Sequence, residues 1–254
     1  MKVKVGNISF LKKIIDTISK ISANVNIECD ENGLSLQTMD DTHVSLISLF
    51  LSKNFFDLFE CTDKKTLGID ILQFQKILKC GIDYDSLTLK TDDQMTTLTF
   101  QFESSDQYFM FKMNLINYVG EKLTIPEVEP NATIKMPSKK IQKIFNDLHE
   151  LGDYINISVN KDVATFSIIT SGGSGFVRLD SSSYEVKSNC ATLVELDVGL
   201  LYLNLIDNVS DISEKVVIKL TKDLPLLLDY ELDNNFGYIR YYIAPRVSDE
   251  EEEE

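Results

Sequence analysis

Lysine side chains gather in three short stretches of an otherwise acidic chain, and ammonium groups placed together in this way can bind phosphates. The stretches Phe10–Ile21, Gln73–Cys80 and Ser138–His149 contain eight lysines and two acidic residues, Asp16 and Asp147. The whole chain has 25 Lys and Arg against 40 Asp and Glu, a formal net charge of −15. Because the local field governs close contact, the stretches predict a surface for nucleic acid or an anionic membrane on a protein that is acidic overall.

The three stretches have the periodicity of amphipathic helices, which would place the lysines on one side. At about 100° per residue, the apolar side chains between Phe10 and Ile21 fall within one arc of roughly 140°. An ordinary surface helix also carries lysine on its solvent side, so plain solvated surface is the alternative. Three acid-poor helices in so acidic a chain favour a dedicated basic face. The lysines expected on it are Lys12, Lys13, Lys20, Lys76, Lys79, Lys139, Lys140 and Lys143.

Residues suited to catalysis are few, so no enzymatic activity is expected. The chain has two histidines, His43 and His149, and His149 ends a lysine-rich helix where the helix dipole favours a structural cation. The run Gly172–Gly175 lacks the ending of a phosphate loop and is interpreted as a hairpin turn. A carboxylate nuclease with two metal ions remains open on composition, but no clustered acid–x–acid pattern stands beside an apolar strand in the way that such a site would need. No cofactor or metal is predicted.

Composition indicates an intracellular protein with one or two packed domains. The chain has 254 residues, 43% of them hydrophobic, and no apolar run long enough to span a membrane. Residues 1–5 alternate like a strand and do not resemble a signal peptide. The cysteines, which are too widely spaced for a zinc site or a disulfide framework, are expected to be reduced: Cys29, Cys61, Cys80 and Cys190. The tail, residues 248–254, is expected to be disordered.

The order of predicted strands and helices in the first half of the chain is repeated in the second half, which indicates two similar α+β domains of antiparallel sheet. Each half begins with a short strand and a lysine-bearing helix, continues through strands, and then has a second helix and three more strands. The second helices are predicted at Ile71–Cys80 and Val198–Val209. The expected divisions are an N-terminal domain at 1–116, a linker at 117–132 and a C-terminal domain at 133–247.

Several long strings of the sequence resemble, in order, segments of the eukaryotic sliding clamps of the proliferating cell nuclear antigen (PCNA) family. They include Leu36–Leu46, Leu123–Pro126, Asp147–Asp153 and Tyr241–Arg246, the last followed by the acidic tail. The resemblance covers essentially the whole chain. It implies the DNA-clamp fold, with inner helices and three chains in a closed ring. It also implies a non-catalytic processivity factor that encircles duplex DNA without reading its sequence and has no membrane role.

The same resemblance implies partners and a location. The expected partners are an ATP-dependent clamp loader and DNA polymerase, flap nuclease, ligase and other proteins that carry a peptide motif. The expected location is the nucleus, or a viral replication site if the source is a large DNA virus. Lys161, in an exposed turn, matches the family's ubiquitin acceptor.

The resemblance further assigns three surfaces. To the eight helix lysines it adds Lys112 as a DNA-facing residue, and it places Asp207 and Asn208 where the family usually has a basic residue. The partner-peptide pocket maps onto Met39, His43, Val44, Leu46, Leu123, Ile125, Gly199, Pro225, Tyr242, Ala244 and Pro245. The subunit interface pairs two strand edges through Phe109, Phe111, Gly175, Val177 and Leu179.

Three alternatives to a replicative clamp remain. A checkpoint-type clamp subunit would keep the fold but assemble with two different partners. A carboxylate nuclease would need a divalent metal ion. A plain acidic scaffold would have no role on DNA.

Overall fold

The computed structural model describes most of the chain, in which two compact units can be distinguished. The described residues are 1–120, 122–126, 128–180, 184–189 and 193–246. The predicted acidic tail therefore lies outside the described residues, as do Cys190 and two residues of the predicted linker, Glu121 and Glu127. The first unit comprises Met1–Leu123 and Glu231–Ile239, and the second comprises Thr124–Tyr230 and Arg240 onward.

The first part of the chain forms nine strands and two helices. They are β1 (Lys2–Val5), α1 (Ile8–Ile18), β2 (Asn24–Asp30), β3 (Gly33–Met39), β4 (Ser45–Ser52), β5 (Leu58–Glu60), β6 (Lys65–Asp70), α2 (Ile71–Cys80), β7 (Ser86–Thr91), β8 (Thr97–Glu103) and β9 (Tyr108–Asn114). In the first unit one antiparallel sheet has the order β5-β1-β7-β8-β9, and a second run of paired strands has the order β4-β3-β2-β6. Strand β9 is the last strand of its sheet.

The second part of the chain repeats this composition within the residues that the structure describes. Its elements are β10 (Ala132–Pro137), α3 (Ser138–His149), β11 (Tyr154–Asn160), β12 (Val163–Thr170), β13 (Gly173–Asp180), β14 (Glu185–Ser188), β15 (Val194–Gly199), α4 (Leu200–Leu205), β16 (Lys215–Leu220), β17 (Leu226–Leu232) and β18 (Gly237–Ile243). In the second unit the paired strands follow the orders β13-β12-β11-β15 and β14-β10-β16-β17. Strand β13 is therefore also the last strand of its sheet.

The pairing of strands is duplicated as well as their order. Strand β1 pairs with β5 and β7, and β2 pairs with β3 and β6. In the second unit β10 pairs with β14 and β16, and β11 pairs with β12 and β15. All of these pairs are antiparallel. The prediction of two similar α+β domains is confirmed.

Apolar faces of the helices pack on the sheets and form the core of each unit. In α1 the inward side includes Ile8, Leu11, Ile14 and Ile15, which are all buried. An aromatic contact joins α2 to its sheet, with ring centroids of Phe74 and Phe100 4.9 Å apart. In the second unit an aromatic contact joins α3 to β12, with ring centroids of Phe145 and Phe166 6.2 Å apart. This packing leaves the polar sides of the helices in solvent.

Local hydrogen bonds explain where two of the helices begin. Asn7 caps α1, its side chain accepting a hydrogen bond from the backbone N–H of Phe10 at 3.0 Å. Asp70 caps α2 in the same way, accepting from Gln73 at 2.9 Å. Such side chains satisfy N–H groups that the first turn of a helix leaves unpaired.

The predicted helix Val198–Val209 is wrong at both ends. Val198 and Gly199 belong to β15, where they pair with Ile155 and Tyr154 of β11, and α4 spans only Leu200–Leu205. A β-branched residue that is buried in a ladder favours the strand. The residues Asp207–Asp211 form a short 3-10 helix instead. Asp207 and Asn208 therefore lie beyond α4, not within it.

Candidate nucleic-acid and partner-peptide surfaces

The helix lysines lie outside the core, on the polar sides of the helices. Lys12 and Lys13 are on α1, Lys20 is in the turn after it, and Lys76 and Lys79 are on α2. The other three, Lys139, Lys140 and Lys143, are exposed residues of α3. Lys112 differs from this group because it lies on the edge strand β9.

Polar side chains connect neighbouring helices beside these lysines. Gln75 of α2 donates to the carboxylate of Asp16 on α1 at 2.8 Å and to the hydroxyl of Ser19 at 3.3 Å. In the second unit Gln142 of α3 donates to the side chain of Asn204 on α4 at 3.2 Å. A polar contact therefore links the two helices of each unit, although Gln142 itself is buried. The solvent side of α4 is not basic, because the exposed side chain there is Leu201.

Some of the lysines are paired with carboxylates of the same surface. The ammonium of Lys12 lies 2.5 Å from Asp16, and their side chains are only 23% and 19% exposed. Lys143 and Asp147 are 2.7 Å apart, and Lys139 lies 3.5 Å from Asp211, but both of these pairs are well exposed. Exposed pairs of this kind are weak and easily exchanged. The Lys12–Asp16 pair on α1 is the least exposed of the three pairs.

The hairpin loop between β3 and β4 carries the first group of predicted pocket residues. Asp40 organises this loop, because its carboxylate accepts hydrogen bonds from the backbone N–H groups of Thr42, Val44 and Ser45 at 3.1, 3.1 and 2.5 Å. Burial raises the pKa of Asp40, but the hydrogen bonds from Thr42 and Ser45 outweigh it and hold that pKa below its usual value. His43 is exposed and has a positive φ of 58°.

The strands beside the loop complete the part of the pocket prediction that falls in the first unit. Met39 of β3 pairs with Leu46 of β4, and Leu46 is buried. A groove of about 540 Å3 runs over this region of the first unit. Its lining includes Gln37, Met39, Asp40, His43, Tyr118 and Lys122. The predicted pocket residue Leu123 is 43% exposed and is hydrogen-bonded to the side chain of Gln37.

The remaining predicted pocket residues belong to the second unit. Pro225 follows the β16–β17 turn and is exposed, and half-buried positions are held by Ile125, Gly199, Tyr242, Ala244 and Pro245. At Gly199, which precedes α4, an added Cβ would lie 2.9 Å from the ring of Tyr202, so a larger residue would force that ring to move.

Arg246 anchors the segment that follows β18. Its backbone N–H donates to the carbonyl of Asp197 at 2.7 Å, and its guanidinium lies 4.5 Å from the ring centroid of Tyr154. The sequence prediction missed Arg246, although an arginine next to the apolar pair Ala244-Pro245 was the available signal.

Both edge strands that the interface prediction named are last in their sheets. On β9, Phe109 stacks on Phe102 with centroids 5.5 Å apart, and Phe111 is exposed. On β13, Leu179 is buried, whereas Gly175 and Val177 are half-buried.

The prediction missed the apolar residues on the opposite faces of these edge strands. They include Tyr108 and Met110 on β9. On β13, Phe176 is 70% exposed, and on the neighbouring strand β12, Ile169 is 86% exposed. Large apolar side chains this exposed on unpaired edge strands are typical of a contact surface.

Lys161 lies in the turn between β11 and β12, where it is exposed and has a positive φ of 53°. An exposed turn gives a modifying enzyme access to its ammonium group, but it does not by itself assign a role.

The described residues contain no group of three or more His, Cys, Asp or Glu side chains arranged to hold a metal ion. Within the same residues, no helix is long and apolar enough to cross a membrane. Cys29 and Cys61 are buried and Cys80 is exposed, all three as free thiols.

Comparison with known proteins gives one consistent result. The model of the N-terminal domain of proliferating cell nuclear antigen matches residues 1–121, and the model of its C-terminal domain matches residues 124–246. The chain is also similar to proliferating cell nuclear antigen of Dictyostelium discoideum. The two are 33% identical over 249 residues, which cover 94% of this chain and 96% of that protein.

Proposed function

The chain belongs to the proliferating cell nuclear antigen family and is a DNA sliding clamp, and we propose that three copies form the ring through which duplex DNA passes. The observation that carries this proposal is the duplicated unit with lysine-bearing helices on its solvent side. Two unpaired edges on different strands of one chain, β9 and β13, allow a head-to-tail contact that closes into a ring. Closure would leave neither edge exposed.

The helix lysines are the proposed DNA contacts. Duplex DNA carries phosphates at regular spacing, and ammonium groups neutralise them without reading bases. Lysine suits a sliding contact because its flexible point charge can pass from one phosphate to the next, whereas arginine forms a more fixed bidentate pair. The lysines in this role are the eight helix lysines, Lys12, Lys13, Lys20, Lys76, Lys79, Lys139, Lys140 and Lys143, together with Lys112 of β9.

The predicted pocket residues are the proposed docking site for partner peptides. Exposed or half-buried apolar side chains such as Leu123, Ile125 and Tyr242 are suited to aromatic anchors of a short peptide. Partners of this kind would be DNA polymerase, flap nuclease and ligase, with an ATP-dependent clamp loader to open the ring. Clamps of this family are non-catalytic scaffolds, and we propose the same for this chain, with the nucleus as its location. We also propose Lys161 as a ubiquitin acceptor.

A processivity assay tests the DNA surface directly. Replacing Lys12, Lys13, Lys76 and Lys79 together by Ala should shorten the run length of a clamp-dependent polymerase. It should also flatten the dependence of DNA affinity on salt, since each phosphate contact contributes a slope of about 0.9 on logarithmic axes. Sequence preference should not change.

The matched control removes four exposed lysines that lie outside α1, α2 and α3: Lys53, Lys90, Lys161 and Lys222. It changes the net charge by the same amount and should keep the wild-type salt slope. If both quadruple variants behaved alike, the helix lysines would be ordinary solvated surface. Cleavage of DNA by the wild type in the presence of divalent metal would instead support a nuclease.

A further inference from the structure

The connection that follows β9 is held on the first unit by side chains. Its described residues form no strand between Asn114 and Ala132, so backbone pairing with a sheet does not continue there. Two backbone bonds remain near its start, from the N–H of Leu115 to the carbonyl of Thr96 at 2.9 Å and from the N–H of Ile116 to the carbonyl of Gly68 at 3.0 Å. An added Cβ at Gly68 would lie 2.0 Å from the carbonyl oxygen of Ile116, so this close approach requires glycine.

Gln37 of β3 makes the most complete of these side-chain contacts. Its amide nitrogen donates to the carbonyl of Leu123 at 3.0 Å, and its amide oxygen accepts from the N–H of Leu123 at 2.7 Å. A primary amide has both a donor and an acceptor, so the Gln37 side chain satisfies both backbone groups of one residue as a neighbouring strand would. The two residues are 86 positions apart in sequence.

Two more contacts hold the same connection upstream of Leu123. Asn26 of β2 donates its side-chain N–H to the carbonyl of Tyr118 at 3.0 Å. Glu28 of β2 pairs with Lys122 at 2.8 Å, and Lys64 lies 3.3 Å from the same carboxylate. Hydrogen bonding from Lys122 lowers the pKa of Glu28 against the opposing effect of its partial burial. These contacts fix the path that leads to Leu123, while Gln37 fixes Leu123 itself.

We propose that Gln37 is a positioning residue for partner binding, which holds Leu123 in the binding-competent conformation before a peptide arrives. The proposal rests on the proposed function, in which Leu123 is a wall of the peptide pocket. Leu123 is 43% exposed, so burial of its own side chain cannot fix its backbone. The paired hydrogen bonds of Gln37 supply that constraint. A peptide then binds without first having to order the connection, which preserves affinity.

Removing the amide of Gln37 tests its positioning role through two independent measurements, amide hydrogen exchange and peptide affinity. Gln37→Met keeps the length of the side chain but removes the amide that donates to the carbonyl of Leu123 and accepts from its N–H. Amide hydrogen exchange at Leu123, measured on the full-length protein without peptide, should become faster. Affinity for a synthetic peptide with a Gln, an aliphatic residue and two adjacent aromatics should fall by about five- to tenfold, the effect of about one net hydrogen bond. Calorimetry should assign this loss to a less favourable binding entropy.

Two further variants separate positioning from general stability. Gln37→Glu keeps an acceptor for the N–H of Leu123 but loses the donor, so its affinity should lie between those of the wild type and Gln37→Met. Gln107→Met makes the same chemical change at an exposed turn and should alter neither readout. The oligomeric mass should be the same in all four proteins, and the unfolding temperature of Gln37→Met should fall by no more than about 2–4 °C, the effect of about one net hydrogen bond.

The outcomes distinguish the inference from the function on which it rests. Unchanged exchange at Leu123 in Gln37→Met would show that Gln37 does not hold the connection and would overturn the proposal. Faster exchange with wild-type affinity would overturn its role in binding. If the wild type itself bound no such peptide, the proposed pocket would be the part that is wrong, and the role of Gln37 would fall with it.

Discussion

Asp40 and Asp92 hold two hairpin loops of the first unit in the same conformation. Each carboxylate accepts from the backbone N–H five residues later, Ser45 at 2.5 Å and Thr97 at 3.0 Å. Each aspartate also donates its own backbone N–H to the carbonyl of that same residue, at 3.0 and 3.4 Å. The residue three positions after the aspartate has a positive φ in both loops, 58° and 56°. Only the first loop carries predicted pocket residues, so the second is a natural control for it.

Asp40→Asn should weaken binding of a pocket peptide by about 1 kcal/mol, the scale of one net hydrogen bond, because the amide cannot accept from Thr42, Val44 and Ser45 together. The loop that carries His43 and Val44 would then lose its fixed conformation. Asp92→Asn makes the same change in the matching loop and should leave peptide affinity at the wild-type value. Calorimetry on the two variants measures the difference. Equal affinities would mean that the conformation of the first loop does not matter for binding.

The stability contribution of Asp40 should depend on pH in a defined direction. Because hydrogen bonds from Thr42 and Ser45 hold the folded-state pKa below the ordinary value of 3.8, the contribution is fully present above that value. It should disappear as the pH falls through the lower pKa of the folded protein. The difference in unfolding free energy between the wild type and Asp40→Asn should therefore shrink on acidification below pH 3.8. An NMR titration of the Asp40 carboxyl carbon checks the same shift, and a midpoint above 3.8 would contradict it.

The helices and strands that could be predicted from the sequence are those defined by the periodicity of neighbouring residues. The bounds of α2 coincide with the predicted helix Ile71–Cys80 and those of α3 with the stretch Ser138–His149, because periodic apolar residues define both and Asp70 caps α2. The strands β5, β6, β14 and β15 were not among those predicted. Strands β5 and β14 have only three and four residues, and β6 lacks clear alternation. Strand β15 alternates, but its last two residues were assigned to the predicted helix Val198–Val209. Val198 looked helical beside Leu200 and Leu203, and only its pairing with Ile155 assigns it to a strand.

Contacts between distant residues could not be predicted in this way. Gln37 alternates with apolar neighbours on β3, a pattern typical of any solvent-facing strand position. Nothing in that pattern indicates a partner 86 residues later. The pairing of Lys12 with Asp16 was visible as a spacing of four on a helix, but its partial burial and its link to Gln75 depend on how α1 and α2 pack.

Phe111→Asp should convert the proposed ring into monomers. The side chain lies on the edge strand β9 and is exposed, so a carboxylate is tolerated in the free chain but would be buried unpaired against a second copy. Light scattering should give about 86 kDa for the wild type, three chains of 28.8 kDa, and a single-chain mass for the variant. Leu151→Asp, at an exposed leucine in the turn after α3, should keep the wild-type mass. A wild type that stays monomeric at every concentration would exclude the ring.

Asp16→Asn should strengthen DNA binding. The carboxylate of Asp16 lies 2.5 Å from the ammonium group of Lys12, where it would compete with a phosphate, and its replacement by an amide should release that ammonium group. The salt slope of DNA affinity should become steeper by up to about 0.9, the value for one more neutralised phosphate. Asp93→Asn changes the net charge equally at an exposed loop position and should keep the wild-type slope. A slope that rises equally in both variants would indicate a general charge effect, not release of Lys12.

Tyr242→Ala and Ile125→Ala should each weaken peptide binding by about 1–3 kcal/mol, the range expected for wall residues of a binding pocket that excludes water. Both side chains are half-buried in the second unit, so they retain surface that a ligand can cover. Neither residue lies on β9 or β13, and the molecular mass of both variants should therefore equal that of the wild type. Leu193→Ala, at an exposed leucine just before β15, serves as the control for loss of an apolar side chain and should bind normally. If all three variants bound the peptide as the wild type does, Tyr242 and Ile125 would be packing residues and partners would dock on another surface.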